Sequence, residues 1–274
     1  IDGRVGVPGF ELDLRIDEPQ PLFQASHQRA ELAVSELSLG THLLQTASDQ
    51  SAYVGIPVFL SRAFRHSSIY IRSDRGISSP ADLAGKRVGI QGLQQTVTLW
   101  VRGILSDHYA LDLSTVTWVV GGLDRPGSLE RIPLNLPPRI AVESAGPDQT
   151  LDNMMRQGAL DAIISPAPPP CFGKPDIPVV RLFVDHAAEE QAYYGKTGLF
   201  PLMHLLGIRA DVAKAHPDLP AALYSAFARA KSLAQGDLPR LNYLRTSLPW
   251  AVSTAWRGPR SSNWQPRVAS SACT

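Results

Sequence analysis

Residues 56–72, IPVFLSRAFRHSSIYIR, set two arginines, a histidine and three serines between two apolar runs. Upstream, Tyr53 to Leu60 reads as a buried strand. Downstream, Ser68 to Arg72 alternates and reads as a second strand. The polar cluster Ser61, Arg62, Arg65, His66, Ser67 and Ser68 therefore falls where one strand ends and the next begins, the place where open α/β sheets bind ligands. Arg62 and Arg65 suit carboxylates, because a guanidinium fork grips a planar anion through two N–H bonds. His66 beside them titrates near neutral pH. An exposed basic turn would carry the same residues, so the flanking chain has to decide.

On the N-terminal side, Glu11–Asp17 alternates through Leu12, Leu14 and Ile16 and reads as a strand, and Leu22–Glu31 as a short amphipathic helix. Val34–Ser38 reads as a strand and Leu39–Ser48 as the helix after it. Ser35, Glu36 and Ser38 then lie at a strand-to-helix junction, where free N–H groups and the positive dipole end face an anion. Ordinary capping is the simpler role for Ser38. For Glu36, capping and a place in a cleft both stay open.

On the C-terminal side, Ser79 caps a short helix with Pro80 at its first position. Arg87–Ile90 reads as a strand. A loop over 91–95 then leads to Thr96 and a helix from about Val97 to His108, which offers Gln95, Thr96 and backbone N–H groups to a ligand. Arg102 lies about one and a half turns further on and reads as an exposed helical arginine. Strands follow at Thr117–Leu123, Asp161–Ser165 and Val179–Phe183, with helices at Leu151–Gly158 and Asp185–Tyr194. Residues 130–138 read as loop and 166–171 as a rigid polyproline-like segment. Thr197–Arg209 is an apolar crossing strand; His204 inside it reads as a core histidine. Residues 211–235 are helical with a joint at His216-Pro217, and 250–274 have no period.

Strands alternate with helices, so the class is α/β. Residues 87–183 read like an inserted lobe. The expected division is lobe 1 from 1–73 plus 197–249, lobe 2 from 74–196, and an irregular tail from 250–274. The crossings are expected around Arg72–Asp74 and Thr197–Arg209, a hinge-closing design with a ligand cleft between the lobes.

Composition narrows the function classes. The 274 residues carry 26 basic and 25 acidic side chains, a net charge of +1, which gives no general attraction for nucleic acid. The apolar fraction of 44% supports a core, and no run of about 18 apolar residues suggests a membrane span. Two cysteines, Cys171 and Cys273, argue against a disulfide framework and fit a reducing cytoplasm. No metal-ligand spacing is present, so no metal site is expected. The chain starts at Ile1 without a signal-like segment, which weighs little on localisation.

Several segments together resemble 4,5-dihydroxyphthalate decarboxylase and its relatives, a family similar to type II solute-binding proteins. They include IDGRV at 1–5, VSELS at 34–38, the stretch at 56–70, GKRVGI at 85–90 and WVRGIL at 100–105. They continue through WVVGGL at 118–123, RIPL at 131–134, DAIIS at 161–165 and TGLFPLMH at 197–204. The resemblance covers roughly residues 1–249. It implies a two-lobed type II periplasmic binding protein-like fold. Against the family pattern, a first strand before Ile1 is missing and the C-terminal helices are replaced by an aberrant tail.

What the resemblance implies is loss of one carboxylate from an aromatic dicarboxylate bearing two hydroxyls, giving 3,4-dihydroxybenzoate and CO2. Such chemistry needs a base at the phenol, an acid at carbon and cations on the carboxylates, and no cofactor in principle. Placed on the matched motifs, Arg62 and Arg65 hold carboxylates and His66 and His204 form the acid/base pair. Ser35, Glu36, Ser61, Gln95 and Thr96 position the ring and its hydroxyls, with Glu36 also placed among the catalytic groups, and Arg102 is a further substrate-binding candidate. The partner is a small aromatic dicarboxylate, with no nucleic acid and no membrane, and the compartment is the cytoplasm. The competing class is a transporter's solute-binding protein for an aromatic carboxylate or other small anion, which would place the chain in the periplasm.

Overall fold

A computed structural model describes residues 3–237; the expected end of the first lobe at 238–249 and the tail at 250–274 lie outside the described residues. Contacts divide the chain into two compact units, Leu14–Pro220 and Ile1–Asp13 with Ala221–Thr274. The smaller unit holds most of a helix, Leu219–Asp237, and an ion pair from Arg4 Nη1 to Asp237 Oδ2 at 2.7 Å.

The larger unit carries nine strands: β1 Val34–Ser38, β2 Tyr53–Arg62, β3 Ile69–Arg72, β4 Arg87–Ile90, β5 Thr117–Val120, β6 Val142–Ser144, β7 Ala162–Ile164, β8 Val179–Arg181 and β9 Leu202–Arg209. They form a three-stranded sheet, β1-β9-β2, and a six-stranded sheet, β6-β5-β4-β7-β3-β8. Its main helices are α1 Pro19–Phe23, α2 Leu39–Ala47, α3 Thr96–Tyr109, α4 Leu151–Arg156, α5 His186–Thr197 and α6 Ala210–Ala215. This is the α/β, two-sheet architecture expected of the type II periplasmic binding protein-like class.

In the three-stranded sheet both neighbours run antiparallel to β9. Leu37, Tyr53 and Leu205 form its buried cluster. β2 is an edge strand, so only part of its apolar run is buried: Tyr53, Ile56 and Val58 point in, while Val54 and Leu60 are exposed. Pro57, which has no N–H to give, falls where the β2–β9 register shifts between Ile56 and Ser61.

The six-stranded sheet buries both faces, one around Trp118, Leu83 and Leu105 and the other around Leu151, Met155 and Leu160. β4, β5, β6 and β7 run parallel, which a helical crossover such as α3 permits. β3 is antiparallel to β7 and β8.

The chain passes between the sheets twice, from Arg62 to Ile69 and from Arg181 to Leu202. The first passage comes earlier than the 72–74 read from sequence, because β3 pairs with β7 and β8 rather than with β2. Glu11–Asp17 is not a strand: it is irregular, with Leu12, Leu14 and Ile16 exposed, so its alternation marks no buried face. The helix expected over 22–31 is the five-residue α1 followed by a π turn at Gln24–Gln28. No helix among the described residues is long and apolar enough to cross a membrane.

Candidate active site

Two strand-to-helix corners, one from each sheet, meet at the candidate site. β1 ends at Ser38 and turns into α2, and the loop after β4 turns into α3 at Thr96. Thr96 Oγ1 accepts the Gly40 N–H at 3.0 Å and lies 3.1 Å from Ser38 Oγ. Ser38 thus makes no cap bond to its own helix and instead bridges to α3. The approach is close enough to demand glycine at 40, where a Cβ would stand 2.5 Å from the Gln94 carbonyl oxygen.

Behind the corner, His27 holds β1 in place. Its Nε2 accepts the Ser38 N–H at 3.0 Å, so the ring proton is on Nδ1, which donates to Gln45 Oε1 at 2.8 Å. Burial pushes the His27 pKa down to about 4, so this imidazole is neutral and structural.

On the strands in front, Ser38 and Ser61 both lie opposite His204. Glu36 is two residues before Ser38, hence on the same face of β1 as the residue paired with His204. His204 Nδ1 is 2.5 Å from Glu36 Oε1. Both remain partly open, at 23% and 33% side-chain exposure. A carboxylate only accepts, so Nδ1 donates and Nε2 is the nitrogen available for proton transfer. Phe23 from α1 meets the His204 ring edge-on, 4.9 Å between centroids. His204 is therefore not a satisfied core histidine.

The remaining sequence candidates do not all gather here. Ser35 is buried and donates to the Glu36 carbonyl at 2.9 Å. Gln95 is buried at the N-cap of α3, and its Oε1 has no protein partner. Arg62 is exposed and stacks over Phe59 at 5.5 Å. Arg65 Nε lies 3.0 Å from Met203 Sδ; Met203 and His204 are consecutive in β9, so their side chains leave opposite faces. Arg102 is not a free surface arginine: it packs over Trp118 at 5.6 Å with its Nε unpartnered.

His66 has surroundings of its own. It is 1% exposed, boxed by Tyr109, Phe183 and Tyr193, with neither ring nitrogen hydrogen-bonded. Burial pushes its pKa down to about 4. Among the described residues the two rings share no aromatic, ionic or hydrogen-bond partner, and the side chain that His204 meets is Glu36.

Sequence reading missed Phe23 and Arg131, although RIPL at 131–134 was among the resemblance segments. Arg131 lies over the Phe23 ring at 5.3 Å, with Nη1 on Thr41 Oγ1 at 3.2 Å and Nη2 on Gln20 Oε1 at 2.6 Å. The segment that carries it is clamped to the loop before α3. Gln94 Oε1 accepts the Arg131 and Ile132 N–H groups at 3.1 and 3.2 Å, and Glu130 accepts the amides of Leu93 and Gln94. A cavity of about 470 Å³ beside this segment, lined by Leu93, Glu130 and Leu134 among others, does not include Glu36 or His204. No three His, Cys, Asp or Glu side chains among the described residues come together as metal ligands.

The chain is 39% identical over 250 residues to 4,5-dihydroxyphthalate decarboxylase of Comamonas testosteroni, covering 91% of this chain and 76% of the relative. It belongs to the 4,5-dihydroxyphthalate decarboxylase family. The enzyme of the same name from Pseudomonas putida is 42% identical over 194 residues, covering 71% of this chain and 75% of the relative. No family profile matches the chain. Among solved structures it is similar to the periplasmic aliphatic sulphonate binding protein SsuA of Escherichia coli, at 13% identity and a TM-score of 0.46, over 81% of this chain and 62% of that one.

Proposed function

We propose that this chain removes one carboxylate from 4,5-dihydroxyphthalate, giving 3,4-dihydroxybenzoate and CO2, with Glu36 and His204 handling the key proton. Membership in the decarboxylase family supports the reaction, and the observation that carries the site is the 2.5 Å contact between His204 Nδ1 and Glu36 Oε1.

The substrate dictates what the site must do. Each carboxylate lies para to a hydroxyl. When that hydroxyl loses its proton, electrons move through the ring and make the carboxylate-bearing carbon basic. That carbon takes a proton, the bond to the carboxylate breaks, and its electron pair restores the aromatic ring as CO2 leaves. The remaining phenolate regains a proton from solvent.

His204 charged against Glu36 supplies the carbon proton from Nε2, and the carboxylate both fixes the ring and stabilises the imidazolium. Ser61, opposite His204, and Gln95, with its free Oε1, are suited to the hydroxyls. Ser35 and Thr96 brace the corner that aims Glu36. His66 shapes an aromatic wall. On this reading the chain works in the cytoplasm, on a small aromatic dicarboxylate.

The test is incubation with 4,5-dihydroxyphthalate, following CO2 release and 3,4-dihydroxybenzoate by chromatography. Stoichiometric appearance of both is expected. Tight binding of the dicarboxylate without either product would overturn the proposal and point to solute capture.

A further inference from the structure

Arg131 is a half-buried cation. Among the described residues its guanidinium bonds only to the neutral oxygens of Gln20 and Thr41 and forms no ion pair. Glu130 acts on it through space but makes no ion pair with it, its carboxylate oxygens accepting the amides of Leu93 and Gln94. An arginine stays charged in proteins, and a partly desolvated guanidinium with donors to spare is suited to a carboxylate brought to it. The clamp from Gln94 fixes the segment that puts it there.

Its position is specific. Arg131 Cζ lies 5.3 Å from the Phe23 ring centre, and the His204 ring 4.9 Å from the same point. The two are thus no farther apart than the sum of those distances. Arg65 and Arg102 also lack ion pairs, but Arg65 rests on Met203 and Arg102 on Trp118, neither on the ring that His204 touches.

We infer that Arg131 binds the carboxylate that the substrate keeps, and so chooses which of two chemically equivalent carboxylates faces His204. This rests on the decarboxylase reading above. The choice between retained and leaving carboxylate follows from charge. The leaving carboxylate becomes neutral CO2, so a cation gripping it would stabilise the ground state more than the transition state and slow the reaction. A cation on the retained carboxylate meets the same charge throughout and contributes uniform binding.

The product keeps that carboxylate, and this makes the inference testable without turnover. Binding of 3,4-dihydroxybenzoate and of its neutral isostere 3,4-dihydroxybenzamide would be measured by calorimetry on the wild-type chain, Arg131→Gln and Arg131→Lys. The amide is expected to bind the wild type about 30-fold or more weaker than the acid. Arg131→Gln should remove most of that preference, and Arg131→Lys should keep part of it. In turnover, Arg131→Gln should raise KM for the dicarboxylate with little change in kcat.

Equal affinity of the wild type for acid and amide would overturn the inference, even if the variants do not fold. So would an Arg131→Gln variant that keeps the full preference. Either result beside normal wild-type turnover leaves the decarboxylase reading standing. A wild-type chain with no turnover overturns both.

Discussion

His204 and Glu36 sit on neighbouring antiparallel strands, 168 residues apart in sequence, with Nδ1 of one 2.5 Å from Oε1 of the other. Neither is deeply buried, so the pair is no structural ion bridge sealed in a core. It is a carboxylate-oriented imidazole with one nitrogen left over. Glu36→Gln keeps the shape but removes the charge and allows the amide to favour the wrong tautomer. The expected result is a fall in kcat of about 10²–10⁴-fold with 4,5-dihydroxyphthalate, read by product chromatography, with the unfolding midpoint little changed.

The corner joining the two sheets depends on one hydroxyl. Thr96 Oγ1 serves both Gly40 N–H and Ser38 Oγ in a buried place. Thr96→Val leaves a buried N–H without a partner, so a loss of about 1–3 kcal/mol is expected, measured by urea unfolding. A variant as stable as the wild type would mean the corner is not held this way.

Acid should destabilise the fold through His27 and His66. Burial lowers both from the ordinary 6.5 to about 4 in the folded protein. As pH falls the unfolded chain takes up protons first, so the contribution is complete above about 6.5 and is lost between 6.5 and 4. Each histidine is worth at most about 3 kcal/mol over that window. Unfolding free energies measured at pH 7 and pH 4.5 should differ accordingly.

His66→Phe separates the wall from the chemistry. The ring nitrogens make no hydrogen bond, so phenylalanine leaves nothing unsatisfied in the aromatic box. Stability at pH 7 should hold or rise, the acid sensitivity should shrink by about half, and kcat should stay within about tenfold of wild type. A drop of 10² or more in kcat would return His66 to the catalytic group.

Much of the scaffold was legible because it is local. The strand Val34–Ser38 and the helix Thr96–Tyr109 announce themselves by apolar periodicity and by the polar residues at their ends. Glu36 is visible as a polar residue in an apolar strand, and periodicity alone reads His204 as a core histidine, its place in an acid/base pair coming only from the resemblance. What His204 meets is Glu36 on another strand, a register fact that no local pattern encodes. Arg62, Arg65 and His66 show the complementary case. They are adjacent in sequence, but the strand edge and the turn send them to Phe59, Met203 and Tyr193, three different surroundings. Arg131 stands in a loop rich in proline whose position depends on the Gln94 amide and the Glu130 carboxylate. Glu11–Asp17 shows the limit of alternation, since a period of two without a facing surface remains an exposed segment.

The central claim is that His204 protonates the ring carbon. The most direct measurement compares kcat for 4,5-dihydroxyphthalate in the wild-type chain and in His204→Gln, at saturating substrate, with calorimetric binding of 3,4-dihydroxybenzoate as the control for an intact site. With His204 as the proton donor, kcat should fall by about 10²–10⁴-fold while product affinity changes by less than tenfold. A His204→Gln chain that turns over at the wild-type rate would contradict it.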